Sequence, residues 1–317
     1  MPFDHAPGGG GLGDGFGDLE ILQAIVRGHQ RQCFAAHHGA KVFHLVFERV
    51  VADQAHGAHF ERLPPRAVFV PRVGFQAHGG HRQTAVGAGD QVVAIDSMSN
   101  YPAESADVLT DLSGYEPNVE AITAYEPDLV VIGDDFVGLA EQLTAVGIKS
   151  WVSSAPTTLD EAYAQIVDLG TVVGHGDEAI ALASSMKSDI DAIIAQAPAL
   201  DQPISFYHEL DDTNYSVTSN TFIGSIYAVL GLRNIADATE GDTDYPQLSA
   251  EFIVSQNPDM IFLSDTKCCG VTAASVAARP GWEVLSAVQG GGIVELDDDV
   301  ASRWGPRLVE FVKVLSD

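Results

Sequence analysis

Basic residues are scarce. The 317-residue chain has 16 Lys and Arg against 44 Asp and Glu, for a formal net charge of −28. A surface this acidic repels phosphate backbones and anionic headgroups, which argues against nucleic acid or acidic membrane as partners. Cysteine is rarer still. Cys33, Cys268 and Cys269 supply neither a disulfide framework nor the paired Cys-x-x-Cys of a zinc site. No apolar run reaches the roughly 18 residues of a membrane span. Phosphate-loop, G-x-S-x-G and H-E-x-x-H signatures are missing, so no enzyme is expected.

The shortage of cations is uneven. Residues 1–85 hold 7 acids and 8 bases, whereas residues 86–317 hold 37 acids and 8 bases. Nine of the 11 histidines precede residue 82. A shift this sharp marks a boundary. PGGGGLGDGFG (7–17) cannot sustain regular structure. RAVFV (66–70) could be a strand, but Pro71, Gly74, Gly79 and Gly80 spoil a following helix. Residues 1–84 are therefore expected to be irregular, the product of a wrong reading frame or start.

What the chain does have is a repeat. NVEAITAYEPDLVVIGDD (118–135) is echoed 131 positions later by SAEFIVSQNPDMIFLSDT (249–266). Asn118 and Ser249 are suited to N-cap a helix, and Glu120 and Glu251 to its first turn. Pro127 and Pro258 stop each helix. LVVI and MIFL then read as strands buried on both faces, as in a parallel sheet. Each unit continues into a helix and a further strand, IKSWV or IVEL. Before each unit, Gly87 and Gly231 mark helix ends. Between the copies, 176–199 has helical spacing at Ile180, Ala183, Met186 and Ile190, with Asp177 as a possible cap. Thr158 and Glu161 form a capping-box pattern before it.

The expected fold is α/β: two Rossmann-like lobes with parallel sheets, 85–175 and 200–317, joined by one long helix. Ligands of such sheets bind at the carboxyl ends of the strands. Asp134, Asp135 and Phe136 follow the first strand of the pair, and Lys267 the second. Tyr207 and Glu209 close ISFYHE, and all six are candidates for the cleft. His208 and Glu209 are also candidate metal ligands, although neighbours on a strand point to opposite faces.

From Val86 onward the chain resembles the solute-binding proteins of cobalamin and ferric-siderophore ABC importers. The likeness rests on GAGDQVVAIDSMSNYP, NVEAITAYEPDLVV, FIGSIYAVLGLRNIAD, YPQLSAEFIVSQNPDMIFL and RPGWEVLSAVQ…SRWGPRLVEFV, in family order. It implies two lobes bridged by a helix and a metal-chelate ligand such as cobalamin, a ferric siderophore or haem, with no cofactor. It implies an extracytoplasmic location, and as partner a permease dimer with its ATPase, onto which Glu120 and Glu251 dock. The binding protein itself is expected to be monomeric. It adds Tyr245 and Arg303 as ligand contacts, to which Tyr101 and Trp304 are joined as aromatic candidates. A metal-ion carrier on the same fold is the competing reading.

Overall fold

The structure, a computed structural model, describes residues 67–70 and 86–317. Two parallel sheets form. The first has β1 (Ala67–Val70), β2 (Val92–Ala94), β3 (Leu129–Ile132) and β4 (Lys149–Val152), in the order β2-β1-β3-β4. The second has β5 (Ser205–Glu209), β6 (Arg233–Asn234), β7 (Met260–Leu263) and β8 (Ile293–Glu295), in the order β6-β5-β7-β8. The two orders are the same, strand for strand, and the sheets stay separate.

The repeat is also visible in the backbone. Helix α1 (Val119–Thr123) is capped by Asn118, whose Oδ1 accepts from Ala121 N–H at 2.9 Å. Its counterpart among the helices that follow is capped by Ser249, whose Oγ accepts from Phe252 N–H at 3.1 Å. The residue before each proline, Glu126 or Asn257, is left-handed, with φ of 49° and 45°. Helical backbone is disfavoured before proline, so each chain turns out of its helix there and enters a strand.

β1 corrects one boundary. Residues 67–70 lie in the middle of the first sheet, in register with Leu129–Ile132 on one side and beginning opposite Val92 on the other. The first lobe therefore starts before residue 85. The rest of the expectation for residues 1–84, including a wrong frame or start, lies outside the described residues.

Helix α2 (Leu139–Ala145) packs beside β4 in the first lobe. Helix α3 (Leu159–Val173) ends at left-handed Gly174, and α4 (Gly176–Gln196) runs on as the bridge. At 21 residues α4 is about 31 Å long. His175, not Asp177, is its N-cap residue, and Asp177 lies in the first turn. At α3, Thr158 caps as expected, but the Glu161 carboxylate reaches Thr157 N–H and Oγ at 2.6 and 2.8 Å. The corner between α3 and α4 is tight enough to require glycine: a Cβ on Gly170 would fall 2.2 Å from Ala179 Cβ.

The second lobe adds α5 (Phe222–Val229), α6 (Ala250–Gln256), α7 (Thr266–Cys269), α8 (Ala273–Ala277), α9 (Ser286–Gly290) and α10 (Asp298–Ala301). The last helix, α11 (Leu308–Ser316), returns to pack on α4.

Strand alternation sorts the cores. Leu129 and Val131 face a central core shared with α3, α4 and α11, and so do Phe206 and Phe262 of the other sheet. Val130 and Ile132 face an outer core in the first lobe, and Tyr207, Ile261 and Leu263 one in the second. The central core thus runs through both lobes and the bridge, which ties the halves to one rigid rod.

Candidate ligand-binding cleft

The carboxyl ends of β3 and β7 deliver the loops expected to hold ligand. Asp134 and Asp135 are half-buried, and Phe136 stands 45% exposed beside Val137. Asp135 is already engaged: its carboxylate accepts from Leu139 N–H and from Ala140 N–H, capping α2. Asp134 is close enough to Tyr245 to act on it electrostatically. Its charge, after burial and the charge of Asp244, raises the Tyr245 phenol above its ordinary pKa. Tyr245 itself is half-buried and packs against the central core. Tyr101 is half-buried, with the Arg307 guanidinium 4.6 Å from its ring centre.

The other expected contacts sit elsewhere, for identifiable reasons. Tyr207 is fully buried in the outer core, with its ring 6.2 Å from Trp282, because its strand position points to a face that helices cover. Glu209 is 0% exposed, and its two oxygens take Arg279 Nη1 and Nη2 at 2.6 and 2.5 Å. Arg279 in turn lies 4.7 Å over Trp282. His208 points the opposite way, as neighbours on a strand should. Its Nδ1 meets the Tyr227 hydroxyl at 2.8 Å, and burial pushes its pKa down to about 3. Neither residue is presented to the cleft as a metal ligand.

Arg303 and Trp304 fasten the lobes together. Arg303, 4% exposed, donates to Asn100 Oδ1 at 2.8 Å and also pairs with Asp299. Asn100 donates to Asp299 at 2.8 Å, closing the group. Burial brings the Arg303 pKa down to about 10, against the pull of Asp299. Trp304, 2% exposed, donates from Nε1 to Gln165 of α3 at 3.0 Å. Gln165 also takes the Ser153 hydroxyl at 3.0 Å and donates to the Ser154 carbonyl at 2.7 Å. Lys267 is half-exposed and ion-paired to Asp297 and Asp299, at 2.7 and 3.0 Å.

Glu120 and Glu251 are exposed in the first turns of α1 and α6, the two equivalent helices. Each helix leads by a short turn into the start of its strand. Its N-terminus therefore points toward the carboxyl-end side of its own sheet. Cys268 and Cys269 are exposed on α7, at the same edge of the second lobe.

A profile of the periplasmic binding protein family matches residues 83–300. The chain belongs to that family. An ABC transporter substrate-binding lipoprotein of Bacillus subtilis, itself uncharacterised, is 31% identical over 241 residues, 74% of each chain. A cobalamin-binding protein of Halobacterium salinarum is 30% identical over 233 residues, 71% of this chain and 62% of the relative. The chain thus spans less than two-thirds of that relative's length. Among solved structures, a periplasmic haem-binding protein from Roseiflexus sp. RS-1 aligns with a TM-score of 0.68 at 23% identity, over 79% of this chain and 96% of that one. A periplasmic vitamin B12-binding protein of Vibrio cholerae aligns with a TM-score of 0.63 at 22% identity, over 79% and 95%. At these identities the structural likeness shows the fold: two α/β lobes bridged by a helix, as in other periplasmic binding proteins.

Some long-range partners are not legible from spacing. Arg279 meets Glu209 across 70 positions, and Trp304 meets Gln165 across 139. The surplus of acids gave one usable signal. With 8 bases after residue 85, each buried cation needs a carboxylate, and Arg279 and Arg303 both have one.

Proposed function

We propose that this periplasmic binding protein is the extracytoplasmic capture component of an ABC importer. It takes a metal chelate of the cobalamin or haem type into the cleft between its lobes and presents it to a permease dimer powered by an ATPase. Asp134, Phe136, Tyr101 and Tyr245 form the contact set, aromatic and apolar surface with few charges, which suits a large flat ligand. Glu120 and Glu251 meet the permease from the two equivalent helices. The observation that carries the reading is the match of residues 83–300 to the periplasmic binding protein family, on two lobes that share one core. A cleft held this way is largely preformed, so binding does not have to order it. The cobalamin-binding relative from Halobacterium supports the ligand class. The metal-ion carrier finds no support, because His208 and Glu209 are occupied by Tyr227 and Arg279.

Fluorescence titration of the protein with cobalamin, haem and a ferric hydroxamate tests this. Saturable quenching by one of them is expected. Failure of all three to bind more tightly than about 1 mM would remove the proposal.

A further inference from the structure

Asp265 stands at the N-cap position of α7, where an aspartate ordinarily accepts from the first amides of the helix. Its side chain makes no such bond. Asp298 of α10 takes that place, accepting from Thr266, Lys267 and Cys268 N–H at 2.9, 2.9 and 2.8 Å. Asp265 is turned inward, 0% exposed, and neither of its oxygens has a hydrogen-bond partner among the described residues. Beside it is Glu209, held by Arg279. One guanidinium therefore serves two buried carboxyls. Two buried negative charges sharing one cation would leave a charge uncompensated in the core, which proteins avoid by keeping a proton.

We propose that Asp265 is a protonated carboxylic acid in the native protein, donating to the Arg279-bound carboxylate of Glu209, and that losing this proton loosens α7 at the ligand-facing edge. Each Glu209 oxygen accepts one bond from Arg279 and has a second lone pair for this proton. The charged and titratable groups around the site are Tyr207 and Glu209 of β5, Asp211 in the loop beyond it, Arg279 after α8 and Asp298 of α10. Burial raises the Asp265 carboxyl to about 8, and the charges of Glu209 and Asp298 add to it. For Glu209, burial also raises the pKa, but the Arg279 and Asp265 contacts act in the opposite direction. Arg279 bonds both oxygens of Glu209 and neither of Asp265, so the proton is assigned to Asp265.

The folded-state pKa lies above the unfolded one. The contribution of Asp265 to stability is therefore fully present below about pH 4 and lost as pH rises through about 8. The consequence spreads along a chain of contacts. Lys267 on α7 holds Asp297 and Asp299, and Asp299 holds Arg303 and Asn100 at the seam between the lobes.

The test uses the full chain without ligand, so its result stands apart from that of the transport reading. The carboxyl carbon of Asp265, assigned by carbon NMR, should titrate near pH 8. Titration near pH 4 would overturn the proposal. Asp265→Asn keeps a neutral donor to Glu209 and has no proton to lose. Its thermal midpoint should depend less on pH than the wild-type midpoint, which carries an Asp265-dependent fall between about pH 4 and pH 8. An equal fall in both proteins would also overturn it. If the variant does not fold, the NMR titration of the wild type decides alone.

Discussion

Arg303 and Asn100 meet at 2.8 Å, one from each lobe, inside a group that also contains Asp299. The arginine expected to reach ligand is instead a bolt between the halves. Removing it takes the buried guanidinium from half-buried Asp299, which keeps Lys267 and Asn100, and breaks the link to Asn100 of the other lobe. Arg303→Met should cost about 3 kcal/mol of unfolding free energy, measured by urea denaturation. A loss of ligand affinity with unchanged stability would return Arg303 to the cleft.

Gly170 sets the angle between the two longest helices. A methyl there would also lie 2.9 Å from the His175 carbonyl oxygen. Because backbone, not a flexible side chain, is in the way, Gly170→Ala should destabilise by about 1–3 kcal/mol in thermal or urea unfolding. Gly174→Asn, at a left-handed position with open space around it, should change stability far less.

His208 predicts the acid limb of the stability curve. Its pKa is depressed from 6.5 to about 3 by burial. Stability is therefore complete above about pH 6.5 and is lost as pH falls toward 3. His208→Gln keeps a polar partner for the Tyr227 hydroxyl and removes the titration. Its unfolding free energy should depend less on pH between those limits, read by urea denaturation at several pH values. An unchanged slope would assign the acid sensitivity to other groups.

Glu120 and Glu251 are exposed at equivalent positions, in line with a surface role. As first-turn acids they stabilise their helices by only about 0.3–1 kcal/mol each. Charge reversal of both, Glu120→Lys with Glu251→Lys, should abolish uptake in a reconstituted transporter while ligand affinity stays intact. Loss of affinity would place them in binding instead of docking.

The repeat made the fold readable, because it supplied two independent copies of each boundary. LVVI and MIFL became β3 and β7 over the residues expected, and Asn118 and Ser249 cap as their side chains suggest. β1 was legible only as a short apolar run, since a central strand gains its stability from neighbours distant in sequence. The site was harder. Position at a strand end does not say which face a side chain takes or whether a helix covers it. Tyr207 and Glu209 therefore went to the interior, while Asp134 stays half-buried after β3. Trp304 is a cleft candidate by sequence, but its indole N–H needs a buried acceptor, and Gln165 of the other lobe provides it.

Calorimetric titration of cobalamin and haem into the wild type and Tyr245→Glu tests the central claim most directly. The substitution replaces the proposed aromatic contact with a second carboxylate near Asp134. The wild type should bind one of the chelates with one site per chain, and the variant should lose at least tenfold in affinity. Binding of equal strength in both proteins, or none in the wild type, would contradict a cleft that captures its ligand between Asp134 and Tyr245.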